Sequence, residues 1–281
     1  FTFRGLYIQA NNLLRFQDPG IAGLFSRVFE VAFTAPETFK DHPLAKMWHG
    51  FGGAGTAHPR VSLCFSPHKD TALSLNPVAA AIDQAQSSVF YAIAFLGQTK
   101  TGPVKAALDR LMDRPLFSYG ISNQRSKLAV RKPDGSTGLV DFRYLSSNAP
   151  PPFRAEWRAG NGINIHHKFV VTDFHLPTAR LFTGSSNLSV SGEEGNSDHL
   201  IEINDPRIAT AFALESVRMF DHLHFRSVMA DKAVETAVAT APVRPLTLRT
   251  PVALSGAAHP WFARDYVANS QRERDRLLFS R

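Results

Sequence analysis

Within residues 165–187, IHHKFVVTDFHLPTARLFTGSSN, His166, Lys168 and Asp173 stand in the order H-x-K-x4-D, and Gly184, Ser185 and Asn187 follow as G-S-x-N. An imidazole held beside an ammonium suits phosphate chemistry. The imidazole can attack phosphorus or carry a proton, and the lysine steadies the charge that builds on the phosphoryl oxygens. The hydroxyl, amide and backbone N–H groups of a Gly-Ser-Ser-Asn turn are donors for an oxyanion.

Two strands must position these groups. The stretch 165–172 is β-branched and apolar in its second half and reads as a strand. Side chains two apart on a strand share a face, so His166 and Lys168 project into one pocket and His167 projects away from it. A second strand, 181–183, ends in the Gly-Ser-Ser-Asn turn.

Complete at His166, Lys168, Asp173, Gly184, Ser185 and Asn187, this pattern resembles the phospholipase D superfamily, the "HKD" phosphodiesterases. The approach to it, from Ser62-Leu-Cys-Phe-Ser-Pro onward, also looks like the start of a lobe of that family. The resemblance implies attack by histidine without a metal or other cofactor, a phosphohistidine intermediate, and a second histidine as general acid. It makes His166, Lys168 and Asp173 catalytic and places Ser185 and Asn187 on the phosphoryl oxygens. His166 is nucleophile or general acid; the second motif of family members more often supplies the acid, which favours that role. Family members carry an acidic residue after the turn to orient the histidine. Asp198 takes that position, although Glu is commoner there, and Glu194 and Glu202 are less favoured. The family carries two motifs, or pairs two single-motif chains. This sequence holds one H-x-K, so the partner expected is a second HKD lobe, upstream in the same chain or from a homodimer partner.

The frame around the motif predicts an α/β fold, an α/β/α sandwich with a mixed, mainly parallel sheet. A strand at 61–65, a helix opened by Asn76-Pro77, an apolar strand at 89–96, a helix at 101–112 and a strand at 116–121 alternate as parallel sheets with flanking helices do. A turn at Lys132-Pro-Asp-Gly and a strand at 139–144 follow. The compressed trio His68-Lys69-Asp70 lacks the motif's spacing and reads as a loop of solvated charges. The run Gly50-Phe-Gly-Gly-Ala-Gly matches a dinucleotide fingerprint formally, but no strand precedes it and no helix follows, so it reads as a flexible loop.

The start of the chain repeats the segment after Asn187. A shift of 187 residues sets Gly5 on Gly192, Asp18-Pro19 on Asp205-Pro206, Phe25 on Phe212, Leu14 and Phe16 on Ile201 and Ile203, and Asn11 on Asp198. Both copies read as a strand, an Asp N-cap with Pro after it, and an amphipathic helix. Residues 1–35 are therefore expected to be the remnant of a first lobe whose upstream motif lies before Phe1. The expected organisation continues with a connector at 36–60, a catalytic lobe at 61–230, and a C-terminal strap and helix at 231–281. The strap is the proline-bearing stretch 237–251, and Pro150-Pro-Pro is a stiff linker into the site.

Composition narrows the partners. The net charge of +7 favours anionic ones, and a hydrophobic content of 44% provides for a large core. Cys64, the sole cysteine, lies in an apolar strand and reads as buried and inert. No apolar run is long enough to span a membrane, so a cytoplasmic or membrane-peripheral protein is expected. His222 and His224 sit two apart on a helix, on different faces, and make no shared metal site. The function expected is cleavage or transfer of a phosphodiester, phospholipid headgroups first. The alternatives are a metal-independent endonuclease on DNA or RNA, and a half-site module inactive without a partner lobe.

Overall fold

The computed structural model describes residues 9–56, 58–123, 127–141, 165–236, 259–260 and 262–280; side chains at 141 and 222–236, and the calls on the end of the 139–144 strand, on the Pro150 linker, on His222 and His224 and on the 237–251 strap, fall outside the described residues. One eight-stranded sheet carries the chain. Its strands are β1 (His49–Phe51), β2 (Arg60–Phe65), β3 (Ser88–Ile93), β4 (Phe117–Ser122), β5 (Leu139–Asp141), β6 (Lys168–Thr172), β7 (Arg180–Gly184) and β8 (His199–Asn204). They lie in the order β1-β2-β8-β7-β6-β3-β4-β5. The helices are α1 (Pro19–Thr34), α2 (Ala72–Gln84), α3 (Pro103–Asp113), α4 (Val190–Gly195), α5 (Pro206–Thr236) and α6 (Gln271–Leu278).

The sheet is covered on both faces. Ile21 and Leu24 of α1 and Ala209 and Ala213 of α5 pack with Phe169, Val171, Leu181 and Ile203. On the other face Val78 and Ile82 of α2 and Leu108 and Leu111 of α3 meet Val89, Tyr91, Val170 and Phe182. Successive residues of β6 thus serve opposite cores, which explains its apolar run. The α/β/α sandwich and its mixed sheet are as expected. The proportion of parallel pairing is not: only β3–β4 and β4–β5 are parallel, and the other five pairings are antiparallel. A parallel return needs a crossover of roughly a dozen residues or more. The seven residues from Asp173 to Ala179 between β6 and β7 are too few for one. No helix among the described residues is long and apolar enough to cross a membrane.

Three local readings change. Helix α2 begins a turn before Asn76, at Ala72, and contains Pro77. Proline supplies no N–H for the carbonyl four residues back. Here that carbonyl, on Leu73, accepts instead from Trp48 Nε1 at 2.9 Å. The glycine-rich run is not a free loop. It forms β1 and the turn into β2, with Gly53 N donating to His58 O at 3.1 Å. His68 is not solvated: it is 3% exposed, whereas Lys69 pairs with Asp41 at the surface.

At the start of the chain the capping pattern recurs in space. Asp18 Oδ1 accepts from Gly20 N and Ile21 N, and Asp205 Oδ1 accepts from Arg207 N and Ile208 N, the same offsets. The strand expected before the first cap is absent at 11–18; only Ala10 bridges, in parallel with Ile165. That bridge, with His166 N donating to Ala10 O at 2.9 Å, lays Asn11 and Asn12 beside the motif.

Candidate active site

His166, Lys168, Ser185, Asn187 and Asp198 line one cavity of about 620 Å3. Asn11, Asn12, Asn196 and His199 add polar groups to it, and Leu14, Phe16, Phe25, Phe95 and Ile201 form an apolar wall. The period-two reading of the strand holds at its entry: His166 and Lys168 share the cavity, while His167 is 2% exposed and points toward Glu215 on α5. The His167–Glu215 separation of 3.6 Å is too long for a hydrogen bond. Burial pushes the His167 pKa down to about 4, with Glu215 pulling against it.

His166 Nδ1 lies 3.0 Å from Asn11 Oδ1, and Lys168 Nζ lies 3.2 Å from Nε2. With Nδ1–H donated to Asn11, Nε2 keeps its lone pair. Burial, and then the charge of Lys168, lower the His166 pKa, so the ring is neutral at pH 7. Lys168 is 7% exposed, donates to the His166 carbonyl at 3.0 Å and stands over the Phe95 ring. Burial lowers its pKa to about 8, with Asp198 acting in the opposite sense. Asp198 therefore helps keep the lysine charged. Its side chain hydrogen-bonds Asn196 Nδ2 at 3.1 Å, and the His166 imidazole is held by Asn11 rather than by Asp198 as expected.

Asp173 is not brought to the cavity. The five residues of β6 separate it from His166, and a strand advances roughly 3.3 Å per residue. At 4% exposure its carboxylate accepts from the backbone N–H groups of Gln86, Ser87 and Ser88 and from Ser87 Oγ, tying the end of β6 to the start of β3. It touches no imidazole here; it holds the strand that carries His166 and Lys168.

The turn after β7 is built against β8. Gly184 has φ +138°, and a Cβ there would meet the His199 carbonyl oxygen at 2.3 Å, so only glycine fits. Ser185 N and Ser186 N both donate to that carbonyl, at 3.0 and 3.2 Å. These two backbone donors, expected to face an oxyanion, are thus occupied, which leaves the side chains of Ser185 and Asn187. Asn187 Oδ1 is buried and has no hydrogen-bond partner among the described residues.

Behind the turn lies a polar cluster that no spacing announced. Glu193, 2% exposed, accepts from Ser74 Oγ at 2.6 Å and from Ser186 Oγ, and stands 3.4 Å from His68 Nε2. Burial works against its charge, but these bonds outweigh it and hold the carboxyl below its usual range. His68 Nδ1 lies 2.7 Å from the Ala45 carbonyl oxygen. Cys64 is buried beside it, and desolvation pushes its thiol up to about 12, an inert form. Asn11 and His199, both at the cavity, were equally absent from the motif reading. Their proximity depends on the Ala10–Ile165 bridge and on the β7–β8 register, and neither has a local signal.

No protein-family model matches the sequence, and no curated protein does. Among solved structures the chain is similar to Nuc from Salmonella typhimurium, a phospholipase D family member, at 20% identity over 61% of this chain and 96% of that one, with a TM-score of 0.36. It is similar to NucT from Helicobacter pylori at 18% identity, over 57% and 95% of the two chains, with a TM-score of 0.39. It is also similar to phosphatidylserine synthase from Haemophilus influenzae at 12% identity, over 74% and 52%, with a TM-score of 0.39.

Proposed function

We propose that this chain is a phosphodiesterase of the phospholipase D type, with His166 attacking phosphorus. One observation carries the reading: a neutral imidazole, a buried ammonium, a serine hydroxyl and an asparagine amide, whose oxygen has no hydrogen-bond partner among the described residues, converge on one cavity. In the reaction, His166 Nε2 forms a bond to phosphorus as the bond to the leaving oxygen breaks. Lys168, Asn187 and Ser185 take the charge on the non-bridging oxygens. The leaving oxygen collects its proton from a second imidazole, which the resemblance assigns to another HKD motif, upstream or on a second copy. Water then cleaves the phosphohistidine. Assigning attack to His166 departs from the general-acid role favoured by the resemblance; the reason is the lowered pKa of an imidazole whose Nδ1 is engaged by Asn11.

Phospholipid headgroups remain the first substrate class. Among the described residues Lys168 is the only lysine or arginine on the cavity's lining, and five apolar side chains line the same cavity. This suits a single diester with an apolar flank better than a polynucleotide, whose successive phosphates call for a track of cations.

The test is hydrolysis of bis(p-nitrophenyl) phosphate in excess EDTA by the chain and by His166→Ala, with gel filtration beside it. Activity that survives EDTA and disappears in the variant supports the reading, and a dimeric mass would supply the second motif. Activity that EDTA abolishes refutes it. An inactive monomer whose activity returns with an added second lobe is the half-site outcome. Cleavage of DNA that fades steeply with salt would make the substrate nucleic acid.

A further inference from the structure

His199, the first residue of β8, meets the catalytic turn three times. Its carbonyl receives Ser185 N and Ser186 N, its N–H donates to Ser185 Oγ at 3.0 Å, and its ring Nδ1 lies 3.2 Å from the same Oγ. The ring is held edge-on to Phe25, with centroids 5.6 Å apart, and lines the cavity. Ser185 Oγ has two lone pairs and one proton. The His199 N–H takes one lone pair. The direction of the ring contact then decides where the hydroxyl proton goes. If Nδ1 is an acceptor, Ser185 spends its proton on the ring. If Nδ1–H donates, both lone pairs are filled and the proton has to point elsewhere, into the cavity.

We propose that His199 is a positioning residue for Ser185: by donating Nδ1–H to Oγ it turns the hydroxyl proton onto a bound phosphoryl oxygen. This rests on the phosphodiesterase reading for its substrate, but its geometry concerns any tetrahedral oxyanion in the cavity. The cavity then recognises the anion through Lys168, Asn187 and a hydroxyl whose direction is set from behind. Substrate binding and the ring's tautomer are coupled, because a phosphoryl oxygen that accepts from Ser185 favours the Nδ1–H form. Burial lowers the His199 pKa while Asp198 opposes it, so the ring is neutral near pH 7 and changes tautomer rather than charge.

The experiment measures the affinity of inorganic phosphate by calorimetry for the full chain and four variants, with circular dichroism as the check on folding. Asparagine places an amide nitrogen where Nδ1 stands, whereas glutamine reaches only the Nε2 position. His199→Asn is therefore expected to bind phosphate within about threefold of the parent, and His199→Gln to bind about tenfold more weakly. Ser185→Ala loses the same factor of about ten, and Ser185→Ala with His199→Gln loses no more than either alone. Where the parent turns over a diester, Ser185→Ala and His199→Gln lower kcat/KM by about the same factor of ten, with a rise in KM, and His199→Asn restores it. Equal affinities in the Asn and Gln variants, or losses that multiply to about a hundredfold in the double variant, would overturn the proposal. So would a parent that binds no phosphate. The phosphodiesterase reading fails separately, through absence of His166-dependent hydrolysis in a chain that still binds phosphate.

Discussion

Replacing Lys168 by methionine should make the free protein more stable while abolishing its affinity for phosphate. Methionine keeps the unbranched length of the side chain and removes its charge. Burial carries the Lys168 pKa from the ordinary lysine value of 10.5 to about 8. That difference corresponds to about 3 kcal/mol of stability withheld by the buried ammonium at neutral pH. The variant also loses the hydrogen bond to the His166 carbonyl, 3.0 Å long, worth about 1 kcal/mol. The net expectation at pH 7 is a gain of about 2 kcal/mol, read from urea unfolding curves.

The pH dependence supplies the stricter check. The folded value lies below the unfolded one, so between pH 8 and 10.5 the unfolded chain holds more protons than the folded one. Stability of the parent therefore rises with pH across that window, and the full penalty is present only below it. The methionine variant lacks the group, so its advantage should shrink from about 2 kcal/mol at pH 7 and vanish near pH 10. Phosphate affinity of the parent runs the other way, falling about tenfold per pH unit above 8, because the anion needs the ammonium. A variant that is less stable than the parent at pH 7, by an amount indifferent to pH, would refute the assignment of a strained, functional charge to this position.

Three further outcomes follow from the same geometry. Asp173→Ala should cost about 2–4 kcal/mol of stability, by loss of the shared acceptor for residues 86–88, while the fraction still folded binds phosphate normally in a titration. Gly184→Ala should lose phosphate binding in the same calorimeter, because its Cβ would displace the His199 carbonyl and with it the turn. Glu193, whose folded pKa is depressed, contributes stability that is present above its ordinary carboxylate value and is lost as pH falls through the lower folded one. Thermal melts of Glu193→Gln should therefore lie below the parent at pH 7 and converge with it on acidification.

The motif was legible because a strand's period is short and fixed. His166 and Lys168 share a cavity for the reason their spacing implied, and the turn at Gly184 sits where the second strand ends. Asp173 was legible in the same arithmetic but misread. A residue five positions along a strand lies roughly 16 Å from Lys168, too far to orient an imidazole at the other end. Its place under the start of β3 follows from that distance once the neighbouring strand is known. The mixed sheet followed from alternating strands and helices, but its many antiparallel pairs depended on loop lengths, and the short link between β6 and β7 already excluded a crossover. Asn11 and His199 could not be read locally. Asn11 reaches His166 across 155 positions through one isolated bridge, and His199 meets Ser185 only because β7 and β8 pair with Gly184 opposite Leu200. A slip of one residue in that register would turn the His199 ring to the other face of the sheet. Side chains that set direction, rather than make or break bonds, depend on register and long-range pairing, and so they lie outside a motif defined by spacing along one strand and one turn.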